Sequence, residues 1–494
     1  MASIATKKAL LEKANAAYTG GRYAQAAELY RQLLRYEPKN PGVHLNLGKS
    51  LALTGDPRGA KKHLLEVLKV RPSDAVALAQ LATVYRQDGR MDDAFRTIDK
   101  ALRAEPGNAF ALWNKADLLR LEGRFEEACE LLRPHAEKPG ADGTLTLMFA
   151  MLVRRFDGVD RAIEVLRALV DRPDLPGGVK MQAMFQLGQM LDRARRYDEA
   201  FEVFERANAL KGARWDPDRL ERLVDEQIAT ITPELYARIP SSTLDTQLPV
   251  FVLGMIRSGT TLTEQVVSSH PKVVAGGELR HMLEPVQSLL GEGARDMKGA
   301  YEAGRLTSQS LTRAGRAYLQ KLKKLGPNAE RVTDKMPYNF QFLGVIRKMF
   351  PGARIIHCTR APLDNCLSCY FHDFTGSHDY TYDLEHLGRY TVQYKRLMDH
   401  WTRTLGIEVF EMNYERFVRE QEPVTRELIE FLGLDWDDAC LRFHSSGRAS
   451  TTWSSEQVRE PLYTRSSGRH ANYEKHLGPL RRALGELASD PERA

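Results

Sequence analysis

Two patterns divide the chain. Up to about residue 211, small residues recur on a fixed step of 34: Ala14, Gly48, Ala82, Ala116 and Ala150 form one series, and Ala26, Ala60, Ala94, Ala128 and Ala162 follow twelve residues behind. Gly21, Gly55, Gly89 and Gly123 keep the same step, as do Pro38, Pro72 and Pro106. After a four-residue slip, Gly188 and Ala200 repeat the twelve-residue offset, which predicts about six units between residues 7 and 211. Beyond residue 245 the pattern becomes short apolar runs separated by helical sequence. Pro249–Leu253, Arg354–Cys358 and Ile407–Met412 read as buried strands, and strands alternating with helices predict an α/β fold with a mainly parallel sheet.

Each 34-residue unit reads as a helix hairpin. Small side chains at two fixed points let paired helices approach, glycine supplies the turn between them and proline stops the second helix. One hairpin cannot bury its apolar face alone, so neighbours must stack into a superhelix with a concave surface. These offsets resemble the tetratricopeptide-repeat (TPR) family, although the aromatic usual near each repeat start is mostly missing. The resemblance implies a docking surface for a peptide or protein. The expected layout is a repeat array over 7–211, a helical linker over 212–245 and an α/β P-loop-like domain over 246–485.

Composition narrows the partners. The 494 residues are 43% hydrophobic and 28% charged, enough for more than one packed core. A net charge of +6 suits an anionic ligand, but the basic residues are interspersed with acids and form no block, so nucleic acid is not an expected partner. No run approaches the roughly 18 apolar residues of a membrane span, and the polar first residues do not open like a secretory signal, so a cytoplasmic protein is expected. Five cysteines, an odd number, fit free thiols in a reducing compartment. Cys366-Leu-Ser-Cys369 is read as structural, because a zinc site needs a second ligand pair that is absent.

The candidate chemistry begins where the first apolar run enters Gly254-Met-Ile-Arg-Ser-Gly-Thr-Thr261 and then a helical stretch. A glycine-bounded loop between strand and helix turns backbone N–H groups and the positive helix end toward an anion, with Thr260 and Thr261 adding hydroxyls. The glycine spacing is that of a nucleotide P-loop, yet Thr260 stands where an ATPase carries lysine, and Arg257 supplies the cation instead. A second constellation follows the Arg354–Cys358 run: Arg360 at the strand end and Ser368 two turns into a helix opened by Pro362, able to face the same crevice.

Arg257-Ser-Gly-Thr-Thr-Leu, His270-Pro271 and Gly277-Glu278 together resemble the 5′-phosphosulfate-binding region of sulfotransferases, especially the tyrosylprotein sulfotransferase branch, with Ile256 in place of its usual proline. Arg360 and Ser368 resemble that family's 3′-phosphate site. The resemblance implies 3′-phosphoadenosine-5′-phosphosulfate (PAPS) as donor, bound by Arg257, Ser258, Gly259, Thr260, Thr261, Arg360, Ser368, Tyr414 and Arg469. It implies Glu278 as general base, Lys335 and Arg257 as stabilisers of the transition state, and a late serine for which Ser455 is preferred over Ser454. His372 stands where the eukaryotic branch has a further arginine. No metal is expected, because sulfuryl carries less negative charge than phosphoryl and no acidic cluster suits magnesium.

The implied function is PAPS-dependent sulfuryl transfer to a hydroxyl on a protein (tyrosine among the options), glycan or small molecule, with the repeats docking acceptor or partner. Two rivals remain: phosphoryl transfer on a modified P-loop, and a repeat scaffold with an inactive enzyme domain.

Overall fold

The computed structural model describes residues 4–212, 214–374, 376, 378–445 and 467–489. They gather into two compact units divided between Val203 and Phe204. No helix among the described residues is long and apolar enough to cross a membrane.

In the first unit, antiparallel hairpins follow the predicted step: Ile4–Thr19 with Tyr23–Tyr36, Pro41–Leu53 with Pro57–Val70, Ala75–Gln87 with Met91–Ala104, Ala109–Leu121 with Phe125–Ala136, and Gly143–Val153 with Gly158–Val170. Gly177–Arg193 and Tyr197–Ala209 continue the series, the latter running through the division between units. Both small-residue series are buried at the helix contacts; at Gly48 an added Cβ would lie 2.9 Å from Leu64. Gly21, Gly55, Gly89 and Gly123 all have φ between +72° and +79°, the left-handed turn that glycine adopts without strain. A further series shares the step: Asn40, Asp74, Asn108 and Asp142 cap the first helices of successive hairpins by accepting bonds from first-turn backbone N–H groups.

The second unit opens on helices Pro217–Thr230 and Pro233–Arg238 and is built on five parallel strands: β1 (Pro249–Gly254), β2 (Val273–Val274), β3 (Arg331–Lys335), β4 (Arg354–Thr359) and β5 (Phe410–Asn413). Their order is β2-β3-β1-β4-β5. The expected run from Ile407 pairs only from Phe410 onward, and β3, rich in charged residues, is a strand that the apolar runs did not announce. Val250, Val252, Ile356, Cys358 and Met412 pack with Val266, Val267, Phe417 and Leu428 on one face of the sheet. On the other, the rings of Phe251, Tyr318 and Phe350 lie 5.7–6.2 Å apart. All six β1 residues are buried, as a strand covered on both faces requires.

The strand order also locates a crevice. From β1 the chain proceeds toward β3 and β2, and from β4 it proceeds the opposite way to β5, so the connections diverge at the carboxyl ends of adjacent β1 and β4. Such a divergence leaves an open cleft where ligands of parallel α/β sheets bind. The loops after these two strands carry Arg257 and Arg360.

Candidate active site

The loop after β1 combines left-handed residues with close backbone packing. Gly254 has φ +149°, and an added Cβ would sit 2.4 Å from the Cys358 carbonyl oxygen of β4. Arg257 has φ +65° and Gly259, the N-cap of helix Thr260–Ser268, has φ +101°. A left-handed arginine carries backbone strain, and alternation of this kind turns neighbouring N–H groups into a concave nest. Ser258 is buried, and its hydroxyl donates to the Met255 carbonyl at 2.7 Å, so this side chain braces the loop. Thr260 is buried at the first helical position and Thr261 is partly exposed beside it.

The two arginines meet. Arg257 Nε donates to Ser368 Oγ at 3.2 Å, while Arg360 Nη1 donates to the Arg257 carbonyl at 3.1 Å. The two expected anion pockets are therefore contiguous, Arg257 touching both Ser368 and Arg360. Asn365 Nδ2 donates to the Ile256 carbonyl at 3.1 Å and pins helix Pro362–Tyr370 to the loop. Tyr414 lies across the opening: an added Cβ on Gly259 would be 3.1 Å from its ring, and the Arg360 guanidinium sits 4.9 Å from the ring centroid. His372 remains neutral, its pKa pushed down to about 3 by burial and by the positive charge of Arg257, so it brings no cation in place of the missing arginine.

Glu278 and Lys335 form one pair at 2.6 Å, Lys335 Nζ donating to Oε1. Their environments differ sharply: the lysine side chain is 0% exposed and the glutamate side chain 49%. Lys335 ends β3, and its N–H donates to the Gly277 carbonyl at 3.0 Å. Glu264 holds the other side of this turn, accepting from Gly277 N–H at 2.9 Å and from Thr333 Oγ1 at 2.6 Å. Burial raises the Glu264 carboxyl above its ordinary range, while the Thr333 bond partly offsets the rise. Gly276 lies so close that a Cβ would approach the Thr333 carbonyl oxygen to 2.2 Å. The carboxylate of Glu278 is thus presented to solvent by a turn fixed from beneath.

Glu264, Asn365 and the group near Glu278 are additions to the sequence reading. Tyr338 Oη lies 2.6 Å from His378 Nδ1 and 2.9 Å from Tyr380 Oη, and Tyr380 stacks on Tyr390 with centroids 3.7 Å apart. Burial lowers the His378 pKa, and the negative charges of Glu278 and Asp379 oppose the shift. Arg469 stands with its guanidinium 5.2 Å from the Phe371 ring centroid. Ser454 and Ser455 lie outside the described residues. All five cysteines are reduced and buried; burial pushes the Cys366 thiol up to about 12, and it contacts Thr391 rather than Cys369. Among the described residues, no cluster of three or more His, Cys, Asp or Glu side chains is arranged to hold a metal ion.

A nest after the central strand, two contiguous arginines and a carboxylate–lysine pair lie in one α/β domain. Residues 249–438 match the sulfotransferase family, and residues 17–84, 80–142 and 147–213 match tetratricopeptide repeats. The chain thus carries a sulfotransferase-family domain behind a tetratricopeptide-repeat array. An uncharacterised protein of Aquifex aeolicus (strain VF5) is 34% identical over 349 residues, 68% of this chain and 46% of that protein. Protein-tyrosine sulfotransferase 1 of Danio rerio is 27% identical over 205 residues, 39% of this chain and 55% of its own. The chain spans about half the length of these curated relatives. Among solved structures, the sulfotransferase domain from the Synechococcus PCC 7002 olefin synthase aligns over 51% of this chain and 99% of its own, with 17% identity and a TM-score of 0.36.

Proposed function

We propose that the domain over 246–485 transfers a sulfuryl group from PAPS to a hydroxyl acceptor, and that the repeats over 7–211, joined by the linker 212–245, dock the acceptor or a partner protein. The observation that carries this reading is the convergence of Arg257, Ser368 and Arg360 at the divergence of β1 and β4. A donor set of two guanidiniums, a hydroxyl and a backbone nest fits a ligand with two phosphate-type groups. When bound, the donor supplies an activated sulfuryl group on a phosphate leaving group.

The loop Arg257–Thr261 holds the leaving phosphate end, and Arg360 with Ser368 holds the 3′-phosphate, each charge-assisted bond contributing about 1.5–3 kcal/mol. Tyr414 and Arg469 complete the nucleotide contacts. Glu278 accepts the proton of the acceptor hydroxyl. Lys335, released from Glu278 by the donor's negative charge, stabilises charge on the departing oxygen together with Arg257 and the late serine Ser455. Arg257, already held by Ser368, acts there without the reorganisation that water would need.

A tyrosine hydroxyl on a protein is the acceptor that the names of relatives such as the Danio rerio enzyme support. Calorimetry with 3′,5′-adenosine diphosphate and with ATP plus magnesium tests the donor assignment. Tighter binding of the 3′,5′-diphosphate is expected, whereas preference for ATP would replace this reading by phosphoryl transfer. Incubation with radiolabelled PAPS, tyrosine peptides and cell extract then reports the acceptor.

A further inference from the structure

Asp364 occupies the third position of helix Pro362–Tyr370, between Arg360 and Ser368 in sequence, and its side chain is 1% exposed. A carboxylate so deeply buried requires donors, and all those described come from one turn 104 to 106 residues further on. Oδ2 accepts the Gly468 N–H; Oδ1 accepts the His470 N–H at 2.8 Å and the His470 ring at 3.0 Å. Bonding to a carboxylate fixes a proton on Nδ1 of that ring. Gly468 has φ +73°, the left-handed geometry that lets two N–H groups of one short turn reach the same carboxylate. Burial would raise the Asp364 carboxyl, but the His470 and Gly468 bonds outweigh it and hold it below its usual range.

Arg469 lies between the two gripped residues. With its neighbours on both sides fastened to Asp364, its guanidinium is set over Phe371, three residues past Ser368, and Tyr473 closes edge-on against the same ring at 4.8 Å. We propose that Asp364 is a positioning residue that clasps the Gly468–His470 turn and so delivers Arg469 as a third guanidinium to the 3′-phosphate end of the donor site. The inference rests on the donor-site reading given above. Asp364 touches no ligand itself; as an anion it would repel a phosphate, and its turn-side bonds spend that charge away from the nucleotide.

The test is a double-mutant cycle on the full chain, reading calorimetric Kd for 3′,5′-adenosine diphosphate. Arg469→Ala is expected to weaken binding about tenfold or more, the loss of one charge-assisted phosphate contact. Asp364→Asn should cause a loss of similar size, and Asp364→Asn combined with Arg469→Ala should bind no more weakly than Arg469→Ala alone. If the Asp364 variant does not fold, Gly468→Ala, which strains the same turn, replaces it in the cycle with the same expectation. Binding by Arg469→Ala equal to the parent overturns the clasp and leaves the donor reading standing. Additive losses in the double variant overturn it as well, since they show Asp364 acting through general stability. Absence of 3′,5′-adenosine diphosphate binding by the parent protein overturns the donor reading first, and the clasp with it.

Discussion

Replacing Glu278 by glutamine separates the observed duty of that side chain, pairing with Lys335, from the proposed one, accepting a proton. In the resting protein its carboxylate accepts the ammonium of Lys335 at 2.6 Å, and Lys335 is fully buried. An amide oxygen can still accept that bond but cannot take a proton from an acceptor hydroxyl. Loss of a general base costs about 10²–10⁴ in rate, or roughly 2.7–5.4 kcal/mol in the barrier at 1.36 kcal/mol per decade. Because Glu278 is half exposed and Lys335 is not, deleting the partner altogether in Glu278→Ala should destabilise by an amount between the about 0.2–1 kcal/mol of surface pairs and the roughly 3–5 kcal/mol of broken buried ones. Glu278→Gln should therefore melt near the parent temperature, bind 3′,5′-adenosine diphosphate with the parent affinity and lose at least about a hundredfold in single-turnover transfer from radiolabelled PAPS. Transfer by the glutamine variant within about tenfold of the parent would refute the base assignment and reduce Glu278 to a counter-ion for Lys335.

Two further substitutions probe the scaffold beneath this pair. Gly276→Ala forces a methyl toward the Thr333 carbonyl oxygen, 2.2 Å away; the Gly276–Gly277 turn must shift, so transfer should fall at least about tenfold while nucleotide affinity is unchanged, and unaltered transfer would show that the turn does not set the carboxylate. Asp334, whose neighbour Tyr318 donates its hydroxyl to the buried carboxyl, has its pKa raised by burial to about 7. The folded chain keeps this proton up to about pH 7 and the unfolded chain releases it near pH 3.9, so stability falls as pH rises across that window, by at most about 1.4 kcal/mol per unit. Asp334→Asn should flatten the slope and gain on the parent at pH 8 relative to pH 5 in urea denaturation; parallel profiles would contradict the burial argument.

The repeat array was legible because its constraint is steric and local. Ala60 or Ala94 must be small for two helices to touch, and that demand returns every 34 residues whatever the surface does. The caps at Asn40, Asp74, Asn108 and Asp142 carry the same period but give a weaker signal, since polar residues at loop positions are common without any cap. The anion loop was legible for a similar reason: Gly254, Arg257 and Gly259 lie within six residues of one another, so their spacing in sequence is their spacing in space. Glu264, Asn365 and Asp364 gave no such signal, because the backbone groups they hold are 13 to 109 residues away and only the folded sheet brings them near.

β3 shows why the remaining site residues were hard to place. Arg331-Val-Thr-Asp-Lys335 has one strongly apolar residue, yet all five are buried in the sheet. Each polar side chain is answered from another element: Arg331 by the Leu432 carbonyl, Thr333 by Glu264, Asp334 by Tyr318 and Lys335 by Glu278. Hydrophobic patterning reads burial through apolarity and is blind to burial achieved by pairing. Paired polar burial costs desolvation that an apolar strand would avoid, so it persists where the polar groups have work to do. The polarity that conceals β3 as a strand thus has a structural counterpart: its last residue brings a desolvated cation to the half-exposed carboxylate that follows the Gly276–Gly277 turn.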